Sequence, residues 1–296
     1  AGSRVPGELD GLLKQILAVD GTFLPAAADV AWAVTSRNQR EGERHRARLD
    51  VHIDVQTWLP EVIAVPDPGE SEGDCAARTL KPNAIHVYDR GFCNFDLIAA
   101  HRSADRDDVS WRADFVLRLR EPGPNAPTIE TIEDRPLEQA SIAAGVVSDH
   151  IVRLPGLEKK HQTMPQLRLV VIRLPDQTEI RLLTTLDIQP ELIALLYRFR
   201  WQIELFFRWL KCYAHFDHMI SHSARGVLLN FYVVIVGVLL MYLHTGYRPS
   251  KYLLVLLGTV AQGGTLEDIL PILRERERQC ERDRQSAARR RAKKQG

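Results

Sequence analysis

The chain has 296 residues, of which 45% are hydrophobic and 26% are charged, as in ordinary globular proteins. Its net charge is only +1, so overall charge gives no argument for binding nucleic acid. The four cysteines are scattered without a Cys-x-x-Cys pair, which argues against a structural zinc site or a disulfide framework. The length predicts one large domain, or a core that carries an inserted module.

The sequence pattern of the first part of the chain predicts mainly strands joined by turns. Residues 15–19 are a short apolar run followed by Asp20-Gly21-Thr22, which predicts a strand that ends in a turn. Residues 84–88 are a second run of this kind, followed by Asp89-Arg90-Gly91. Further strands are predicted at 30–35, 49–55 and 114–119, short helices at 76–80 and 95–101, and a loop at 66–73.

A Pro/Gly-rich break near residue 121 separates this part from a β-rich stretch. Polar turns there separate apolar segments at 145–154, 167–174 and 179–186. A long helix over 189–213 follows, with proline at an early position where it is tolerated. Strands interleaved with helices predict a mixed α/β (α+β) layered fold.

Residues 226–243 are almost entirely apolar, with one amide side chain among eighteen residues. This length is near the threshold for a membrane-spanning helix. A helix buried within a large α/β core has the same pattern. We favour the buried helix, and an integral membrane protein is the alternative.

The segment LLYRFRWQIELFFRWLK carries the most informative pattern of the chain. Tyr197, Arg200, Glu204 and Lys211 lie at offsets 0, 3, 7 and 14. At about 100° per residue they fall within about 60° of one another, on one narrow stripe of a continuous helix. A carboxylate flanked by cations suits a metal ion and phosphates. The alternative is a surface helix with incidental ion pairs.

This Y-x2-R-x3-E-x6-K spacing resembles the Tyr-Arg-Glu-Lys signature of DDE-type transposases of the bacterial insertion-sequence-four family. AVDGT and VYDRGF resemble the family's first and second acid motifs, and the resemblance covers most of residues 20–243. It implies a ribonuclease-H-like core, a mixed five-stranded sheet flanked by helices, with a β-rich insertion before the last catalytic helix. The expected divisions are the first part of the core at 1–120, the insertion at 121–187, the final catalytic helix and a buried core helix at 188–248, and a helical region with a basic tail at 249–296.

The resemblance also implies the roles of individual residues. Asp20, Asp89 and Glu204 would be the catalytic acids and the ligands of two Mg²⁺ ions, with Mn²⁺ as a possible substitute. Asp54, Asp96 and Asp114 compete with them but match no motif position. The expected DNA phosphate-binding residues are Tyr197, Arg200, Lys211 and, as a weaker candidate with an ordinary surface ion pair as its alternative, Arg90.

The expected function is Mg²⁺-dependent strand cleavage and strand transfer at transposon ends, by a cut-and-paste route. The expected partner is double-stranded DNA, bound by a homodimer in a synaptic complex on the nucleoid in a bacterial cytoplasm. A truncated or domesticated non-catalytic DNA-binding remnant is the alternative, because relatives carry a DNA-binding domain where only nineteen residues precede Asp20 here. Residues 274–294 hold ten Lys/Arg against four Asp/Glu, which suits either an arm that contacts DNA or a solubilising terminus.

Overall fold

A computed structural model describes residues 14–25, 34–38, 42–67, 69–101, 113–124, 126–161, 166–213, 223–245, 263–265 and scattered positions between 267 and 285. The chain divides into two units, Ala1–Phe207 and Arg208–Gly296. The elements in chain order are β1 (Gln15–Pro25), β2 (Val34–Asn38), β3 (Gly42–Asp54), β4 (Pro60–Ala64), α1 (Glu72–Arg78), β5 (Ala84–Tyr88), a 3₁₀ turn (Arg90–Phe92), α2 (Phe95–Ala100), β6 (Asp114–Arg118), β7 (Glu130–Asp134), α3 (Gln139–Ala143), β8 (Val146–Arg153), α4 (Pro155–Lys160), β9 (Leu167–Arg173), β10 (Glu179–Thr184), α5 (Pro190–Phe199), α6 (Trp201–Tyr213) and α7 (Ala224–Thr245).

The strands of the first unit form one mixed sheet in the order β2-β3-β1-β5-β6-β10-β9-β8-β7, with β4 also paired to β3. Strand β1 is antiparallel to β3 and parallel to β5, and β5 is parallel to β6. The five strands β4-β3-β1-β5-β6 form the mixed five-stranded sheet of a ribonuclease-H-like core, which the family resemblance implied. Strands β7 to β10 extend this sheet, because β10 pairs antiparallel with β6.

The central strands are buried on both faces, which explains their nearly continuous apolar sequences. All five residues of β5 are buried, and so are the first four of β6. Tyr88, Phe92 and Phe115 are among the largest fully buried side chains, and they belong to one apolar cluster with residues of α1 and α2. This packing fixes the ends of β1 and β5 relative to each other.

Three local predictions were wrong. Strand β1 does not end at residue 19 but continues to Pro25, because the long strand β3 pairs with it from Asp54 to Arg46. The predicted helix 189–213 is two helices that meet at Arg200, where the amides of Arg200 and Ile203 bond to carbonyls three residues back instead of four. The predicted loop 66–73 ends early, because α1 begins at Glu72.

The apolar segment 226–243 forms most of helix α7. Ile235 is buried, but six large apolar side chains of α7 are exposed, so the helix is not fully buried as predicted. Those side chains are Leu229, Tyr232, Val233, Val236, Leu240 and Leu243. Within the described ranges, no helix is both long enough and apolar enough to cross a membrane.

Candidate active site

Asp20 and Asp89 lie side by side at one edge of the sheet. The parallel pairing of β1 with β5 ends at Val19 and Tyr88, and the two aspartates are the next residues of their strands. The backbone of Asp89 leads into the 3₁₀ turn, where the amide of Phe92 donates to its carbonyl at 3.0 Å. Because the Phe92 ring is anchored in the core, this turn holds Asp89 at the strand end.

Helix α5 brings Tyr197 against the same edge. Its apolar face buries Ile193, Leu196 and Phe199, and Pro190 occupies its first turn, where no N–H is needed. The Tyr197 hydroxyl donates to Asp89 Oδ1 at 3.2 Å. Tyr197 therefore contacts a catalytic candidate directly, which the helix periodicity alone did not predict.

Arg200 connects Asp20 to Glu204. Its Nη1 lies 3.8 Å from Asp20 Oδ2, and its Nη2 donates to Glu204 Oε1 at 2.6 Å. The planar guanidinium suits this role, because it presents several donors in a fixed geometry. The structure thus places Asp20, Asp89, Tyr197, Arg200 and Glu204 in one neighbourhood.

Burial dominates the electrostatics of this neighbourhood. It raises the pKa of Asp20 from its usual 3.8 to about 7. The charge of Arg200 opposes this rise, whereas the charges of Glu72 and Asp89 add to it. Burial likewise raises the pKa of Tyr197, and the nearby Asp89 charge raises it further. Burial, more than neighbouring negative charge, therefore accounts for the raised pKa values of Asp20 and Tyr197.

The sequence analysis missed three charged residues beside this edge, of which Arg48 and Asp50 are buried and Glu72 is half-buried. Arg48 and Asp50 lie on β3 and form an ion pair, with Arg48 Nε 3.1 Å from Asp50 Oδ1. Glu72 is the first residue of α1, and its charge acts on Asp20. The capping motif Ser71-x-x-Asp74 could have revealed the start of α1, since the Ser71 hydroxyl accepts from the Asp74 amide.

The donors of the site suit a hard divalent cation. Asp20, Asp89 and Glu204 offer carboxylate oxygens, which Mg²⁺ prefers. Among the residues that the structure describes, however, no three His, Cys, Asp or Glu side chains are close enough together to form a ready metal-binding group. The Arg200 guanidinium lies between Asp20 and Glu204 and supplies the positive charge there. The chemistry of the donor set fits the ion, although the carboxylates are not gathered to bonding distance.

Arg90 and Lys211 are the two remaining predicted phosphate-binding residues. Arg90 is exposed in the 3₁₀ turn that follows Asp89. Lys211 lies in α6, but its side chain is outside the described part of the structure. The contacts of Lys211 with DNA therefore remain a prediction from the sequence.

The competing acids have structural partners elsewhere. Asp54 accepts from the amides of Gln56 and Thr57 and so shapes the turn after β3. Asp96 pairs with Lys160 and His161. Asp114 accepts from Lys14 and from the Thr185 hydroxyl, and so joins β6 to the end of β10.

The mixed sheet is the fold that the resemblance to DDE transposases implied. Residues 11–240 match the family model described as "Transposase DDE domain", and the chain belongs to that family. The resemblance to insertion-sequence transposases that the Tyr-Arg-Glu-Lys spacing indicated is thereby confirmed.

Curated relatives support the family assignment. The chain is 26% identical over 229 residues to "Putative transposase y4zB" of Sinorhizobium fredii, an alignment covering 75% of this chain and 59% of the relative. It is 23% identical over 231 residues to "Probable transposase for insertion sequence element IS5377" of Geobacillus stearothermophilus, covering 77% and 56%. The chain thus spans little more than half the length of these relatives.

One solved structure also resembles the chain. It is titled "Cryo-EM structure of piggyBac transposase synaptic complex with hairpin DNA (SNHP)", with a TM-score of 0.45 and 10% identity over 85% of this chain and 49% of that one. A similarity this low carries no inference about function.

Proposed function

We propose that this chain is the catalytic domain of a transposase that cleaves and joins DNA strands at transposon ends. The observation that carries the proposal is the convergence of Asp20, Asp89 and Glu204 on the Tyr197–Arg200 pair. These acids come from two parallel strands and a helix that are far apart in sequence. Membership of the DDE transposase domain family supports the same assignment.

Asp20, Asp89 and Glu204 would hold Mg²⁺, most simply as two ions, with Mn²⁺ as a substitute. When bound, such ions activate the attacking oxygen and stabilise the leaving oxygen of a phosphoryl transfer. Tyr197 holds the Asp89 carboxylate in place through its hydroxyl. Arg200 orients Asp20 and Glu204 and keeps a positive charge at the site, where a DNA phosphate would otherwise meet only carboxylates.

The reaction we propose proceeds without a covalent protein intermediate. Water attacks a phosphate at each transposon end and releases a 3′-hydroxyl, which then attacks either the opposite strand or target DNA. The protein contributes positioning and charge stabilisation. We propose double-stranded DNA as the partner, bound by a homodimer that holds two ends in the bacterial cytoplasm.

The test is DNA cleavage by purified protein with Mg²⁺ or Mn²⁺, on duplexes that carry the genomic DNA on either side of the coding region. We expect Glu204→Gln to lower the cleavage rate by more than about 100-fold, as removal of a metal-binding carboxylate does. Asp96→Asn is the matched control, because it removes the same charge from an exposed ion pair and leaves the site intact. Equal rates for the two variants would refute the proposal, and so would DNA binding by wild type without cleavage.

A further inference from the structure

Arg118 lies in one row with the two aspartates of the candidate active site. Val19, Tyr88 and Leu117 are paired across the parallel strands β1, β5 and β6, and all three belong to the apolar cluster that includes residues of α1 and α2. Side chains alternate between the two faces of a sheet, so the residue that follows each of them points to the opposite face. Those following residues are Asp20, Asp89 and Arg118. Arg118 therefore shares their edge and their face, one strand spacing, or about 4.8 Å, from Asp89.

Tyr197 of α5 connects Arg118 to Asp89. The Tyr197 hydroxyl donates its proton to Asp89 Oδ1 at 3.2 Å, so the lone pairs of its oxygen remain able to accept. Burial raises the pKa of Tyr197, whereas a hydrogen bond from Arg118 and the charge of Arg118 act to lower it. Arg118 thus contacts a residue of the helix motif, although the motif does not include it.

The hydrogen-bonding capacity of Arg118 is only partly used. Its Nη2 lies 3.8 Å from Oε1 of Glu121, whose side chain is 57% exposed, and an ion pair this long and this exposed contributes little. The buried Nε of Arg118 has no acceptor among the residues that the structure describes. A guanidinium carries five N–H donors, and an unpaired buried N–H is costly. An acceptor oxygen that reaches this guanidinium would therefore be favoured.

We propose that Arg118 binds a DNA phosphate next to the cleavage site and exchanges its contact with Glu121 for that phosphate. This inference rests on the proposed function. Arginine suits the role, because its planar guanidinium can donate two parallel hydrogen bonds to one phosphate. Arg118 lies on the β6 side of Asp89, whereas Arg200 lies near Asp20 at the end of β1. The two arginines would therefore hold the DNA backbone on both sides of the acids.

The test measures DNA binding and its dependence on salt. A fluorescently labelled duplex of the genomic DNA beside the coding region is titrated with protein that carries Glu204→Gln, so that little cleavage accompanies binding. We expect an added Arg118→Gln to weaken binding by about tenfold. It should also reduce the slope of log K against log salt concentration by about 0.9, the value for one phosphate contact with duplex DNA.

Arg153→Gln in the same background is the matched control. It removes the same charge from an exposed ion pair on β8, four strands away from β5. Neither the affinity for DNA nor the salt slope should change by more than the error of the measurement.

Two further variants separate a DNA contact from a structural role. Arg118→Lys keeps a positive charge and should restore most of the salt slope, although an ammonium group cannot donate two parallel hydrogen bonds. Glu121→Gln removes the competing carboxylate and should strengthen DNA binding. If Arg118 only paired with Glu121, Arg118→Gln and Glu121→Gln would lower the melting temperature alike and leave DNA binding equal to that of Arg153→Gln. That outcome overturns the inference.

Failure of this inference can be distinguished from failure of the proposed function. If the wild type cleaves DNA while Arg118→Gln and Arg153→Gln give the same affinity and the same salt slope, the proposed function stands and only this inference falls. If the wild type neither binds nor cleaves DNA, the proposed function fails and the inference falls with it.

Discussion

Tyr197 donates a hydrogen bond to Asp89 across a sequence separation of 108 residues. This contact joins α5 to the end of β5 and connects the helix motif to an acid that lies far from it in sequence. We expect Tyr197→Phe to lower the free energy of unfolding by about 1–2 kcal/mol, because a hydrogen bond to a carboxylate is lost in a partly buried site. Denaturant unfolding measures the change. Tyr232→Phe, at an exposed tyrosine, is the control and should change stability by less than about 0.5 kcal/mol. Equal stability of both variants would contradict the role of this bond.

Arg200 contacts the carboxylates of Asp20 and Glu204 at once, and a lysine side chain cannot make both contacts in the same geometry. We expect Arg200→Lys to slow DNA cleavage by about tenfold or more, because a single ammonium group replaces the planar fork that contacts Asp20 and Glu204. Arg198→Lys makes the same exchange at an exposed position of the same helix and should leave the rate unchanged. A rate for Arg200→Lys close to that of wild type would mean that bridging by Arg200 is dispensable.

The raised pKa of Asp20 predicts how stability depends on pH when no divalent cation is present. The folded state holds the Asp20 proton up to about pH 7, whereas the unfolded chain releases it near 3.8. The folded state therefore binds more protons between these values, and this group makes the protein less stable as pH rises from about 4 to 7. Above pH 7 its unfavourable contribution is constant.

Asp20→Asn isolates this effect. The stability of the variant minus that of wild type should increase from pH 4 to pH 7 and then level off, as measured by denaturant unfolding in a chelator. Addition of Mg²⁺ should stabilise wild type more than Asp20→Asn at pH 8. A stability difference that does not vary with pH would show that the pKa of Asp20 is not raised in the folded protein.

A buried ion pair supports the segment that leads into α5. Arg168 binds both oxygens of Asp149, and its Nη1 donates to the carbonyls of Leu186 and Ile188. The Arg168 and Asp149 side chains are 4% and 2% exposed. Asp149→Ala should cost about 3–5 kcal/mol in unfolding free energy, because it leaves an uncompensated buried charge.

The pair of Arg173 with Glu179 provides the control for this prediction. Its side chains are 49% and 45% exposed, so Glu179→Ala should cost less than about 1 kcal/mol. The same denaturant titration compares both variants. A loss for Asp149→Ala as small as that for Glu179→Ala would contradict a supporting role for the buried pair.

The sequence predicted the residues of the helix motif better than their geometry. The spacing of Tyr197, Arg200 and Glu204 indicated one stripe of one helix, and the three residues do lie together. The short break at Arg200 could not be predicted, because the sequence around it holds no Gly or Pro, the residues that usually interrupt a helix. The contact of Tyr197 with Asp89 depends on which strand α5 packs against, and periodicity carries no such information.

The predicted end of strand β1 at Asp20 was wrong for a different reason. Asp-Gly dipeptides are common in turns, so the strand was predicted to end there. The pairing of Asp20 with Val51 on β3 keeps the strand straight through this dipeptide. Glu72 was missed for a related reason, since it follows a Pro/Gly-rich segment that reads as a loop.

Strand β10 is paired to β6, and β6 is the neighbour of β5, the strand that Asp89 follows. The Thr184 hydroxyl adds a bond to the Phe115 carbonyl at 2.5 Å, so this junction is secured by side chain as well as backbone. Strand β7, whose five residues are all exposed, is separated from β6 by four strand spacings, or about 19 Å. A molecule bound along β7 would therefore be held about 19 Å from β6, which lies beside the candidate active site.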